Sequence, residues 1–181
     1  MSDQKFQPRP TEYRGITFRS KSEAKFARLL DVMDPGMQWA YEPKDFESMI
    51  NDNYCPDFVS YVSAPGRRGL LCVIVEYKPK RPTDAYIKEF FGVRSKRIQD
   101  AMAPILIVPT IVCVDFWNKT ATEICRPGGL NCGKTELLPA HLHAKNLEGH
   151  ECVTSWDEFD ETENLLPFIN EVNSYRFDLK Q

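Results

Sequence analysis

The run Leu70-Leu71-Cys72-Val73-Ile74-Val75-Glu76-Tyr77-Lys78 opens with six apolar residues and ends on two charges placed two positions apart. An apolar run without polar alternation is the pattern of a strand covered on both faces, which places it at the centre of a sheet. Because side chains alternate along a strand, Glu76 and Lys78 leave the core on the same face. Two strand-like runs precede it, Gln38 to Phe46 and Tyr54 to Val62, and the turn-rich residues Ser63 to Gly69 join the second of them to Leu70. The three predict an antiparallel meander.

Further out, Ser20 to Met33 carries Phe26, Leu29, Leu30 and Met33 at helical spacing and is stopped by Asp34-Pro35-Gly36. Beyond Lys78, Thr83 and Asp84 offer N-caps for a helix to about Met102, with Ile87, Phe90, Phe91, Arg94 and Ile98 on one side and Pro104 after it. Ile105 to Val108 reads as a buried strand and Ile111 to Phe116 as another. The order helix, three strands, helix, strand predicts an α/β fold with helices covering a central mixed sheet. Residues 120–152 show little pattern. Ser155 to Tyr175 regains helical character, with Ser155-Trp156-Asp157-Glu158 as a capping box.

The 181 residues, 42% hydrophobic and 27% charged, suit one globular domain with a core that needs no disulfide scaffold. We divide it into an N-terminal arm over 1–13, a core over 14–118, and an extension over 119–181 packed on that core and ending in an acidic helix. No stretch approaches the roughly 20 apolar residues of a membrane span, and the polar start lacks a signal-peptide core. A cytoplasmic protein without a membrane partner is expected. There its cysteines stay reduced. The formal net charge of −3 hides a division along the chain. Residues 1–28 carry a net +4 and Lys78 to Arg97 a net +5, whereas residues 139–181 carry −6. A polyanion would meet the first two regions and avoid the third.

The chemistry centres on Pro56-Asp57, followed after 18 residues by Glu76-Tyr77-Lys78. That interval suits a hairpin returning Glu76 beside Asp57 across the ladder. Two adjacent carboxylates repel in a partly dry site unless a cation lies between them. A hard divalent ion such as Mg²⁺, which takes few protein carboxylates and keeps several waters, answers that need. The Lys78 ammonium can then orient or deprotonate a water, or neutralise a phosphate oxygen that gains charge. An ordinary ion pair at a strand end is the alternative, because short patterns of this kind occur by chance.

The order of elements and the residues on them resemble the PD-(D/E)xK nuclease superfamily. The likeness runs from about Arg14 to Val108 through Ser22-Glu23-Ala24, Tyr41-Glu42-Pro43, Tyr54-Cys55-Pro56-Asp57-Phe58 and Val75-Glu76-Tyr77-Lys78. Within it the chain is most similar to phage-type endonucleases, resolvases of branched DNA and the end-cleaving nuclease subunit of some bacterial transposons. The resemblance implies a restriction-endonuclease-like core and a DNA endonuclease of phage or mobile-element DNA. It also implies that Asp57, Glu76 and Glu23 bind Mg²⁺, with Mn²⁺ as a substitute, and that Lys78 is the catalytic lysine. Cutting two strands with one site per chain implies a homodimer or a partner nuclease or recombination protein. The rival expectation is a catalytically silent module of this fold that binds nucleic acid or protein.

Glu23 has two readings. Ser20-x-x-Glu23 is a capping box, in which the carboxylate bonds the Ser20 backbone. Glu23 also precedes Phe26, Ala27 and Leu30 on the stripe that faces the sheet, and we expect it to contribute to the metal site. Glu42 is read as exposed or supporting rather than catalytic. The cations Lys80, Arg81, Lys88, Arg94, Lys96 and Arg97, extended by Arg19 and Lys21, are candidates to track a phosphate backbone, against the plainer reading of a solvated face. Cys125, Cys132, His141 and His143, with His150 and Cys152 nearby, are zinc ligands by chemistry. Their spacing departs from the usual knuckles, so unliganded residues are the default and Zn²⁺ the alternative.

Overall fold

In the computed structural model, which describes residues 8–44, 46, 54–63, 70–102, 105–125 and 157–179, Leu70–Lys78 is a strand with a neighbour on each side. The elements in chain order are β1 (Thr11–Tyr13), β2 (Ile16–Phe18), α1 (Lys21–Met33), β3 (Trp39–Tyr41), β4 (Phe58–Ser63), β5 (Leu70–Lys78), α2 (Asp84–Glu89) and α3 (Ser95–Met102). They continue as β6 (Leu106–Asp115), β7 (Thr120–Cys125), β8 (Asp157–Asp160), α4 (Thr162–Ser174) and β9 (Asp178–Leu179). The main sheet has six strands in the order β3-β4-β5-β6-β7-β8, and β2-β1-β9 form a smaller one. Only the β5–β6 pairing of the main sheet is parallel. The fold is therefore α/β, with a mixed sheet and a helical crossover from β5 to β6.

β5 is covered on both faces, as its composition requires. Val73, Val75 and Tyr77 pack toward α1 and α4, whereas Cys72 and Ile74 pack with Ile98 and Met102 of α3. The meander forms as expected, with β3 and β4 shorter than their apolar runs. Helix α1 begins at the expected place. Ser20 caps it, and both halves of the capping box are made with Glu23.

Four expectations are corrected. Residues 11–13 are not arm but the strand β1. Tyr13 turns into β2 through Arg14 and Gly15, both at positive φ, and β9 pairs on the other edge. The two strands expected at 105–116 are one ten-residue strand. It runs through Pro109, which lies level with Ile74 of the parallel neighbour β5. The helix expected from Asp84 to Met102 is interrupted by a π-helical turn, Phe90–Arg94, that lets the adjacent Phe90 and Phe91 both face the sheet.

The fourth concerns the C-terminal part. Asp157 and Glu158 are not a helix start but part of β8, paired with β7. The helix begins at Thr162, whose N–H is accepted by Asp160 Oδ1 at 2.9 Å. β7 and β8 continue the main sheet, and Leu165, Ile169 and Val172 of α4 join the α1-side core. No break in the sheet falls at residue 118. Among the described residues no helix is long and apolar enough to cross a membrane.

Phe26 ties this core to the chemistry. It is fully buried, with ring centroids 5.1 Å from Phe58 and 4.7 Å from Tyr77, the residues that follow Asp57 and separate Glu76 from Lys78. Phe26→Ala is expected to destabilise the fold by about 3–5 kcal/mol, seen as a lower urea midpoint at unchanged slope. An unchanged midpoint would show that α1 does not support this end of the sheet.

Candidate active site

The β4–β5 hairpin brings the predicted residues together. Its register pairs Phe58 with Val75, which sets Asp57 one step further, level with Glu76. Asp57 Oδ2 accepts the Tyr77 N–H at 3.0 Å and lies 3.5 Å from Lys78 Nζ, while Glu76 Oε1 is 2.7 Å from the same ammonium. Lys78 thus bridges the two carboxylates. Both of these are buried, and the lysine is partly exposed.

Glu23 reaches the cluster from the start of α1, and both of its readings have a physical basis. Its Oε2 accepts the Ser20 N–H at 2.8 Å, completing the helix cap, and the Tyr41 hydroxyl at 3.1 Å. Its Oε1 pairs with Arg19 Nη2 at 3.1 Å, and the same nitrogen lies 2.7 Å from Asp57 Oδ1. Arg19 also bonds Glu42 through Nε at 2.8 Å. Arg19, expected as a phosphate contact, is held here by three carboxylates. Glu42 takes a left-handed backbone and donates its N–H to the Asp57 carbonyl. It supports the cluster rather than lying free on the surface.

Two further groups were not anticipated from the sequence. Tyr54 donates its hydroxyl to Glu76 Oε2 at 2.7 Å, and Tyr86 of α2 donates to Glu76 Oε1. The only hints were a tyrosine shortly before Pro56-Asp57 and another three residues after the Thr83 cap. Burial, then the Glu76 charge, push both phenols up, so they remain hydrogen-bond donors at neutral pH.

Burial and the neighbouring Glu76 push the Asp57 carboxyl up to about 6, against the pull of Lys78 and Arg19. Burial works against the Lys78 ammonium, yet Glu76 and Asp57 hold its pKa above the ordinary lysine value. Lys78 is therefore a cation here and donates rather than accepts a proton. The contact set holds four carboxylates, Glu23, Glu42, Asp57 and Glu76, against two cations, Arg19 and Lys78. That surplus of negative charge and the all-oxygen donor set fit a hard divalent ion. Among the described residues no three His, Cys, Asp or Glu side chains stand in a ready-made metal cage. Arg19 and Lys78 bridge the carboxylates instead, and the Arg19 side chain, 60% exposed, reaches them from the solvent side.

The predicted basic surface is divided. Arg81 pairs with Asp84 and with Glu158 of β8, and Arg94 pairs with Glu89 while lying over the Tyr54 and Tyr86 rings. Lys21, Lys80, Lys88, Lys96 and Arg97 are exposed. Cys125 is buried at the end of β7. Cys132, His141 and His143 lie outside the described residues. Comparison with protein-family models, with curated proteins and with solved structures finds no match to this chain.

The position of Asp57 carries a pH signature. Its pKa is raised in the folded chain from an ordinary 3.8 to about 6, so its stabilising contribution is complete below the lower value and lost as pH rises through the upper one. In EDTA, the melting temperature of the parent relative to Asp57→Asn is expected to fall between about pH 4 and pH 7. A difference independent of pH would show that Asp57 is not under this strain.

Proposed function

We propose that this chain is a metal-dependent DNA endonuclease of the PD-(D/E)xK type, acting on phage or mobile-element DNA. The observation that carries the reading is the convergence of Asp57, Glu76 and Lys78 at one end of the central strand, with Lys78 within hydrogen-bond reach of both carboxylates. The topology supports it: α1, the meander β3-β4-β5, the helical crossover and the parallel strand β6 follow the order that the resemblance implies.

Asp57 and Glu76 would hold Mg²⁺ or Mn²⁺, with Glu23 beside them, and the ion would supply Lewis-acid charge and a more acidic water. The chain's own groups do the rest. Lys78 places a fixed positive charge where a phosphate oxygen gains negative charge as water adds to phosphorus. The Tyr77 N–H holds Asp57, and the Tyr54 and Tyr86 hydroxyls hold Glu76, so both carboxylates are oriented before substrate arrives. Arg19 is placed to move from carboxylates to a phosphate, both of which match its planar fork. Hydrolysis leaves a 3′-hydroxyl and a 5′-phosphate, as the resemblance implies.

One observation favours the rival reading of a silent module. Every carboxylate oxygen of Glu23, Asp57 and Glu76 already has a protein partner, so the cluster is complete as an ion-pair network. The two readings separate in a cleavage assay on linear, nicked, single-stranded and four-way-junction DNA with Mg²⁺, Mn²⁺ or EDTA. We expect cleavage that EDTA abolishes. Asp57→Asn and Lys78→Ala are each expected to lower it by about two orders of magnitude or more while the fold remains. Folded protein with no metal-dependent cleavage of any substrate would leave the silent module.

A further inference from the structure

A groove of about 520 Å³ opens at the same end of the sheet, between the start of α1 and the β6–β7 turn, and none of the cluster's carboxylates lines it. Lys21, Lys25, Lys80 and Lys119 face it, together with Phe116 and Trp117. Its one carboxylate, Asp115, is engaged by its own turn: it accepts the N–H groups of Trp117 and Asn118 and the Asn118 side-chain amide. Among the described residues none of the four lysines forms an ion pair. Lys25 instead bonds the Asn173 amide oxygen at 2.5 Å and lies 5.3 Å from the Phe116 ring centroid. Burial, then the nearby Lys21 charge, lower its pKa. The groove is short of negative charge.

Trp117 is the second feature. The residue is 91% exposed although its backbone N–H is pinned by Asp115, and the next turn residue but one, Lys119, holds a left-handed φ of 57°. Held on this turn, Trp117 displays a large aromatic face beside the cations of the groove. Cations flanking an open aromatic face are the arrangement that takes phosphates and an unstacked base together.

We propose that this groove binds a segment of single-stranded DNA, its phosphates on the four lysines and one unpaired base stacked on Trp117. Pro79 and Lys80 line the groove directly after Lys78, and Lys21 and Ser22 lie between Arg19 and Glu23 in sequence. Tyr77, which separates Glu76 from Lys78, lines the groove as well, so a strand seated there would lead toward the carboxylate cluster. The preferred substrate then has unpaired nucleotides next to the scissile phosphate. That the polyanion is DNA rests on the nuclease reading, whereas the phosphate-and-ring recognition rests on the groove.

The test is made in EDTA, so that nothing is cut, by fluorescence anisotropy of a labelled oligo(dT) of about 12 nucleotides. The full chain is expected to bind it more tightly than a duplex of equal length or poly-glutamate of equal charge. Trp117→Ala should weaken binding about tenfold or more, Trp117→Phe should keep most of it, and Lys119→Gln should flatten the salt dependence by about 0.7 in log–log slope. Equal binding by Trp117→Ala and the parent, or equal binding of duplex or poly-glutamate, would overturn the proposal. Cleavage of DNA without oligo(dT) binding would remove the groove and leave the nuclease. Oligo(dT) binding without Mg²⁺-dependent cleavage would do the reverse.

Discussion

Asp57 and Glu76 give up most of their hydration at the end of β5, and nearly every polar group around them is placed to offset that loss. Lys78 bridges the pair, Arg19 ties Asp57 to Glu23 and Glu42, and two phenols and one backbone N–H donate further bonds to the two carboxylates. The compensation is incomplete, as the raised pKa of Asp57 shows. A fold that needed only stability would do better with apolar residues at these positions. Strain of this kind, held by well-packed surroundings, is characteristic of groups kept for chemistry.

The surroundings follow from the same strand. Because β5 is apolar on both faces, helices must cover both, and its two charges can emerge only at its end. Phe26 packs α1 onto Phe58 and Tyr77, which fixes the backbone on either side of the carboxylates. The same helix then delivers the Ser20–Glu23 cap to the cluster. One carboxylate thereby serves helix and site together, so the choice between cap and site that the sequence posed for Glu23 has no single answer.

What could be read from the sequence was what local periodicity encodes: β5, α1 with its cap, the hairpin register and the meeting of Asp57, Glu76 and Lys78. What could not be read depended on partners distant along the chain. Nothing local foretells that β8 brings Glu158 beside Arg81, or that Glu42 and Asp57 close around Arg19. β8 was hidden because Ser155 to Glu158 also spells a helix start, and only pairing with β7 selects the strand. Tyr54 and Tyr86 carry no motif, since a buried phenol bonding a carboxylate is set by packing rather than by spacing. Within the basic stretch Arg81 meets Glu158 only because β8 joins the sheet.

The proposed nuclease chemistry requires the Asp57–Glu76 pair to be a divalent-metal site. Titration of the intact protein with Mn²⁺, followed by electron paramagnetic resonance of the free ion, measures it without any assumption about substrate. Binding is expected to saturate, and Glu76→Gln to abolish it in a protein that stays folded. Mn²⁺ that remains free throughout, or that binds Glu76→Gln as it binds the parent, would contradict that requirement.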